Sequence, residues 1–471
     1  MQTYKTGSVR ANRGAPRIWI EGRFPERAGF CAGARYEAVK RRDHLVLRLS
    51  PKGDRIVSYK EVDGRKKPII DLNGLWLLEV FRGGSPLRMI MQRGSIVIAP
   101  PASEKRREAR LTRLLRKLLG GKPLAVGALA AGAGILDHAI KAGLAAGGIR
   151  SHLAVVNEIR EELVEHAAAH NEAFDAQTLA LMGPLQEIAF DQRVMARIPK
   201  VDIVIAGLPC SGASVAGRAK RKLSCAEEHP LVGHLVASAL AVIVWLNPSV
   251  LILENVPTYA NSASAAILRG QLRDLGYEVH EREFLATEWG DLERRKRWCL
   301  VAVTRGIEFD LQALQPPAFE PRQLASILEP LEAVADRFST MQSLKEKEAR
   351  DQAAGRNFLM QIFNGEESHI NTLTKGISKG RSTDPKIQHP EDPELLRNPT
   401  HREHARAKGV PEHLIAGLCE STAHEVLGQG VCYSPFKSLG EYLARTLQRF
   451  LECSQGLTPA PLAASMLQGV G

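Results

Sequence analysis

The sequence predicts an α/β protein built on a doubly wound sheet, with a mostly-β module ahead of it. Between Leu124 and Thr304, short apolar runs alternate with glycine-containing turns and amphipathic segments, as in parallel strands joined by crossover helices. The first hundred residues lack that alternation and hold a diverged tandem repeat instead. The 471 residues are 44% apolar and 24% charged, the balance of a globular chain long enough for two or three domains.

In the repeat, Ile18-Trp19-Ile20-Glu21-Gly22, Phe30, Gly33 and His44-Leu45-Val46-Leu47 recur as Ile70-Asp71-Leu72-Asn73-Gly74, Phe81, Gly84 and Ser95-Ile96-Val97-Ile98. After one slipped residue the offset is constant at 51. Each copy reads as a strand, a turn and two further short strands, too little to bury a core alone, so the copies are expected to pack together. Ser103 is placed to cap a helix running to Leu119, with Leu111, Leu114, Leu115 and Leu118 on one face. The other face carries Lys105, Arg106, Arg107, Arg110, Arg113, Arg116 and Lys117, a pattern that suits either solvent or phosphates.

The alternating region opens with a strand over Leu124 to Ala130, the turn Ala131-Gly132-Ala133-Gly134 and a helix over Ile135 to Ala146. A second strand, Leu153 to Asn157, ends in Glu158, and a helix follows through Ala169. A glycine turn followed by an acid at the second strand's end suits a nucleoside-bearing cofactor: glycine admits close backbone approach, and a carboxylate accepts both ribose hydroxyls. The full phosphate fingerprint is missing, which favours adenosine without a bound pyrophosphate. The run Val201-Asp202-Ile203-Val204-Ile205 stops at Gly207-Leu208-Pro209 and leaves Cys210 on a tight loop at a strand's carboxyl end, where open α/β sheets place chemistry. A helix over Leu231 to Leu246 leads to a strand over Val250 to Leu253, which ends in Glu254-Asn255-Val256-Pro257. If the two strands are parallel neighbours, Glu254 faces the same crevice as Cys210. A helix around Ala263 to Leu275 and a strand near Tyr277 to Phe284 precede Leu292-Glu293-Arg294-Arg295-Lys296-Arg297, which enters a strand over Trp298 to Thr304. Arg295 and Arg297, two apart on an extended start, project to one side. Taken singly, these residues read as a core thiol, a surface carboxylate and an exposed basic run.

Seven scattered cysteines without a Cys-x-x-Cys pair argue against a disulfide framework or a structural zinc site, and fit a reducing, cytoplasmic setting with no metal. The start, Met1-Gln-Thr-Tyr-Lys-Thr, has no apolar signal core, and the apolar stretch from Leu231 to Trp245 is broken by His234 and Ser238, so neither export nor a membrane span is expected. A formal charge of +11 and a pI near 9.3 favour a polyanionic partner.

As an ordered set, Ala131-Gly132-Ala133-Gly134, Glu158, Pro209-Cys210, Glu254-Asn255-Val256, Arg295-x-Arg297, Arg397-Asn398-Pro399-Thr400 with Glu403 and Arg406, and Gly428-Gln429-Gly430-Val431 resemble the cytosine-C5 DNA methyltransferases over about residues 122 to 450. The spacings fit as well, with 44 residues from Cys210 to Glu254 and 41 from Glu254 to Arg295. The resemblance implies a Rossmann-like methyltransferase sheet with an inserted target-recognition domain, S-adenosylmethionine as methyl donor and double-stranded DNA as partner. It assigns Cys210 as the nucleophile on C6 of a flipped-out cytosine and Glu254 as the group on N3. Arg295, Arg297 and Asn255 support them, and Gly132, Gly134, Glu158, Pro209 and Gln429 hold the cofactor. Ser214, Lys375, Lys379 and Arg381 fall among DNA contacts. The tandem repeat is similar to the AbrB and SymE-like swapped-hairpin family, which implies a DNA-binding module and self-association. The domains implied are the repeat (1–100), a basic linker helix (101–121), the catalytic domain (122–305), the target-recognition domain (306–394), the returning catalytic segment (395–452) with a helix over Ser438 to Phe450, and a tail (453–471). Departures from the family pattern concentrate on the cofactor side: Ala128 and Ala130 stand for an acid and an adenine-stacking aromatic, Ile135 for a final glycine, Pro184-Leu185 for an acid after the third strand, and Ser211 for a glutamine. Two other readings share these residues, a DNA-binding regulator with a weakly active or inactive domain and an enzyme acting on RNA cytosine.

Overall fold

The structure is a computed structural model that describes residues 2–12, 14–81, 85–209, 212–356 and 359–456. It divides into two units, residues 1–108 and 109–471.

In the first unit the two copies of the repeat pair with each other. Their leading strands, Ala15–Glu21 and Arg65–Asn73, run antiparallel with Trp19 opposite Asp71, and their last strands, Leu45–Leu49 and Ser95–Ala99, run antiparallel with Val46 opposite Val97. Each of these pairs joins repeat equivalents, so a pseudo-two-fold axis passes through both. Each leading strand is also one arm of a hairpin, with Arg10–Asn12 in the first copy and Ser58–Val62 in the second. The result is a four-stranded and a six-stranded sheet closed over Ile18, Ile20, Leu47, Ile70, Leu72 and Ile98. The matched Phe30 and Phe81 are both buried there, whereas Gly84 lies outside the described residues.

Helix α1 (Ala102–Leu119) starts one residue before Ser103, which therefore lies in its first turn instead of capping it. Beyond the unit boundary three of its cations, Arg110, Arg113 and Lys117, turn into the protein, and Arg116 alone stays exposed. Arg110, 1% exposed, donates to Thr304 Oγ1, Asn247 Oδ1 and the Leu275 carbonyl and stacks 4.0 Å over Tyr277. Arg113 and Lys117 converge on the fully buried Asp202 at 2.9 and 2.6 Å. The desolvation of that carboxylate is offset by two cations and the Ala125 amide.

The second unit is built on β1 (Leu124–Leu129), β2 (Ser151–Glu158), β3 (Leu179–Met182), β4 (Ile203–Ala206), β5 (Val250–Asn255), β6 (Tyr277–Leu285) and β7 (Lys296–Thr304). Their order in the sheet is β3-β2-β1-β4-β5-β7-β6. The first five are parallel, as a doubly wound sheet requires, but β7 is antiparallel to both β5 and β6. Only residues 286–295 separate β6 from β7, too short a link for the dozen or more residues of a parallel crossover. As a result the start of β7 meets the carboxyl end of β5.

Helices α2 (Ile135–Ala146), α3 (Glu161–His170), α4 (Leu235–Leu246), α5 (Ala263–Asp274) and α6 (Tyr433–Gly456) surround the sheet. Helix α4 begins four residues later than the hydrophobic run suggests. Ahead of it Gly233 is pressed on the Glu227 carbonyl, which a Cβ would approach to 2.1 Å. Helix α6 outruns the predicted Ser438 to Phe450 at both ends and packs on α2 so closely that a Cβ on Gly143 would lie 2.0 Å from the Lys437 carbonyl. Ile307, Phe309, Leu311 and Leu314 join the main core, and the expected inserted region follows them. Its buried Leu324, Ile327, Leu373 and Ile377 form a second small cluster together with Leu292 and Ala407, so the stretch around Lys375 is flanked by buried anchors. Among the described residues no helix is long and apolar enough to cross a membrane.

Candidate active site

Strand β4 delivers the chain to Leu208, which is buried, and Pro209, which is exposed. Cys210 and Ser211 lie outside the described residues. The segments on either side of them are clamped: Asn255 Nδ2 donates to the Leu208 carbonyl (3.0 Å), and Thr258 Oγ1 donates to the Ala213 carbonyl (2.7 Å). Gly212 must be glycine, since a Cβ there would fall 2.4 Å from the Ala226 carbonyl. The Ser214 hydroxyl accepts from the Gly217 amide and caps the helix Val215–Arg221.

Because β4 and β5 are parallel neighbours, Glu254 and Asn255 end at the same sheet edge as this loop. Glu254 is 8% exposed and sits 2.5 Å from Arg297 Nε. Burial pushes its carboxyl above the usual range, although the charges of Arg297, Arg295 and Lys408 pull the other way. Arg297 reaches it because antiparallel β7 starts beside the end of β5. Arg295 diverges. The backbone kinks between Glu293–Arg294 and β7, with the Arg295 amide donating to the Glu293 carbonyl, and its guanidinium turns to the Gly428 carbonyl (2.6 Å) and Glu293 Oε1 (3.3 Å). The two arginines therefore hold different partners and do not form one fork.

Glu293 is the centre of a buried network that the sequence reading passed over. Its Oε2 lies 2.9 Å from Lys408 Nζ, each side chain being fully buried, and its Oε1 accepts from the Leu373 amide. Burial opposes its ionisation, but Lys408 and Arg295 outweigh it and hold the carboxyl at about 2. The one visible signal is an acid embedded among cations at the start of an apolar strand. Thr258 left no signal, since its partner is a backbone carbonyl 45 residues away.

On the cofactor side, Glu158 closes β2. Its Oε2 accepts from the Gly132 amide (2.8 Å), and its Oε1 accepts from the amides of Ile159 (2.9 Å) and Arg160 (3.1 Å). Gly132 and Gly134 have φ of +58° and +76°; a Cβ on Gly134 would lie 2.5 Å from Asn171 Nδ2, whereas one on Gly132 meets open space. Ile159, 64% exposed beside Glu158, offers an apolar surface in a site that lacks an aromatic at Ala130. Ile135 is buried in the main core and touches the returning segment, with its Cδ1 3.2 Å from a Cβ built on Gly430. Gln429 ends the helix Glu420–Gln429, exposed, one turn from Glu425, which pairs with Arg160. A carboxylate, a glycine backbone beside open space and an exposed apolar side chain fit the nucleoside part of S-adenosylmethionine.

Residues 125–445 match the model of the C-5 cytosine-specific DNA methylase family. The chain belongs to that family. The Type II methyltransferase M1.ScrFI of Lactococcus lactis subsp. cremoris is 26% identical over 261 residues, 54% of this chain and 64% of that protein. M.NlaX of Neisseria lactamica is 26% identical over 264 residues, 54% of this chain and 80% of the relative. The chain thus spans less than two thirds of the first of these relatives. Among solved structures, the S. pombe Dnmt2 methyltransferase shares the fold with a TM-score of 0.53 at 17% identity, over 70% of this chain and 99% of that one. The Entamoeba histolytica methyltransferase EhMeth does so with a TM-score of 0.56 at 17% identity, over 69% and 99%. The tandem β unit lies ahead of the matched residues.

In this chain a cleft of about 650 Å³ opens between the start of β7 and the inserted region. Arg294 and Lys296 line one side, and Asn371, Thr372, Thr374 and Arg381 line the other. Arg381 is braced by Asp384 (3.1 Å) with its side chain half exposed. Lys375 and Lys379 are exposed but lie outside the cleft lining, and the Lys375 backbone rests against Gly428.

Proposed function

We propose that this methylase transfers a methyl group from S-adenosylmethionine to C5 of a flipped-out cytosine in double-stranded DNA, through a covalent bond between Cys210 and C6. The observation that carries the reading is the buried Glu254–Arg297 pair on the sheet edge shared with the clamped loop that leads into Cys210. C5 of cytosine is a poor nucleophile. Addition of the Cys210 thiolate to C6 moves the C5–C6 π electrons to C5 as Glu254 gives its proton to N3, so that no net charge is left on the ring. General-acid work of this kind is typically worth about 10²- to 10⁴-fold in rate. Burial raises this carboxyl and so favours the protonated form that gives up the proton, and Arg297 balances the carboxylate once the proton has left. The methyl donor supplies an electrophilic carbon; Gly132, Gly134, Glu158 and Ile159 would hold its nucleoside part, with Pro209 and Gln429 at the margins. Loss of the C5 proton to solvent, departure of the thiolate and return of the N3 proton to Glu254 restore the C5–C6 double bond, a neutral methylated base and the starting acid. Because C6 is inaccessible in a stacked duplex, the base must leave the helix, at a cost of a few kcal/mol. The cleft lined by Arg294, Lys296 and Arg381 presents cations, hydroxyls and an amide suited to phosphates and base edges.

A duplex library carrying 5-fluorocytosine tests this. Fluorine at C5 cannot leave as a cation, so with S-adenosylmethionine the protein becomes covalently trapped on its site, and Cys210→Ala does not. Absence of trapping on every duplex, with no measurable donor binding, overturns the proposal.

A further inference from the structure

The charge of the molecule is unevenly shared. Residues 1–108 hold 23 lysines and arginines against 11 acids, whereas residues 109–471 hold 40 against 41. The whole positive excess therefore belongs to the unit outside the family match, and residues 109–471 are close to neutral overall.

Within residues 1–108 the excess is focused on one surface. Paired residues of an antiparallel sheet share a face, so the register places Arg10, Arg17, Lys60, Arg65 and Lys67 together on the outer face of the four-stranded sheet, opposite the buried Ile18, Ile20, Ile70 and Leu72. The acids Glu21 and Asp71 on that face are already neutralised, Glu21 by Lys60 (2.8 Å) and Lys67 (3.6 Å), Asp71 by Arg17 (2.7 Å). Trp19 stands in its middle, 38% exposed, with the Arg17 guanidinium 4.3 Å from its ring. The edge hairpin is also unusual for a folded domain: all five residues of Ser58–Val62 are exposed, so neither of its faces is stabilised by a core. Its tip, Asp63-Gly64, has positive φ at both residues, the geometry of a tight two-residue hairpin that holds the ribbon out rigidly.

We infer that this outer face is a docking surface for the phosphate backbone of duplex DNA. Three inter-strand spacings separate its two edge strands, roughly 15 Å, against a major groove about 12 Å wide, so cations at the two edges meet phosphates on both sides of one groove. The same excess of cations opposes face-to-face pairing of two copies. The inference rests on DNA being the substrate, but its test measures binding and requires no turnover.

In the full-length protein, binding to a short duplex without methylation sites is measured between 50 and 200 mM salt for the wild type, for Arg10→Gln/Lys60→Gln/Arg65→Gln, and for a control, Arg41→Gln/Arg42→Gln/Lys52→Gln. The control residues are equally exposed cations of the same unit, off this face. Each phosphate contact contributes about 0.9 to the slope of log affinity against log salt, so the face variant should flatten that slope by roughly 2 to 3 and bind at least about tenfold more weakly at 100 mM salt. The control should keep at least two thirds of the wild-type slope, and both variants should melt within a few degrees of the wild type. Equal flattening by both variants makes the effect one of bulk charge and overturns the proposal, as does no flattening by either. A face variant that instead loses sedimentation as a dimer, or binding to anionic vesicles or RNA, with its duplex slope unchanged, overturns it in favour of those partners.

Discussion

Strands β2 and β5 of one sheet both end in a buried glutamate, and the fold treats the two in opposite ways. Glu254 faces a guanidinium in a buried position and is pushed toward its protonated form. Glu158 accepts from three backbone amides, one of them in the glycine turn, and keeps acceptor capacity for a ligand. The contrast extends outward. The cytosine side is braced by side chains through Glu293, Lys408 and Arg295, whereas the cofactor side is braced by backbone conformation at Gly132 and Gly134. Side-chain bracing permits a proton to be held and released, and backbone bracing leaves room for a ligand. Substitutions on the first side should therefore change chemistry or stability, and those on the second should change affinity.

The sharpest break in that contrast is Glu254→Gln. It should lower kcat by about 10² to 10⁴ while donor affinity, measured by calorimetry, stays unchanged. The sign of the pH effect is fixed by the raised carboxyl: the proton donor is present below its native pKa and is lost as pH rises through it, so the wild-type rate falls on the alkaline side and the Gln variant lacks that limb. Glu293→Gln comes next. It leaves Lys408 buried without its counter-charge and should cost about 3 to 5 kcal/mol in denaturant unfolding. Glu158→Ala removes a carboxylate that three amides point to; the dissociation constant for S-adenosylmethionine should rise about 10- to 100-fold, the worth of one or two charged hydrogen bonds, with kcat at saturating donor within about threefold. Smallest is Thr258→Val. Loss of one hydrogen bond to the Ala213 carbonyl, about 1 kcal/mol, should slow covalent trapping on 5-fluorocytosine duplex about fivefold without moving donor affinity.

Much of this was legible in the sequence. Strands buried on both faces are written as continuous apolar runs, so β1, β2, β4 and β5, and the acids near the ends of β2 and β5, could be placed directly. The repeat was legible because its offset is constant. What escaped depends on partners distant in the chain. The cations of α1 look like a solvated stripe until Asp202 appears 89 residues beyond Arg113. Arg295 and Arg297 seem equivalent until the kink at residue 295 parts them, and Glu293 is hidden in a run whose composition suggests solvent while its exposure is zero. The direction of β7 follows from a short link whose effect on the sheet no local pattern records.

The grip of α1 on Asp202 governs how the protein can be dissected. The family match begins at residue 125, which invites a catalytic fragment cut just before it. Such a fragment would retain a fully buried carboxylate stripped of both cations and would lose Arg110 from the seam of Thr304, Asn247 and Tyr277. A cut ahead of Ala102 keeps the helix whole. The segment that looks like a connector is thus inherited with the enzyme, and exchanging the domain in front of it is a matter of splicing before Ala102, with the catalytic sheet's own underside left intact.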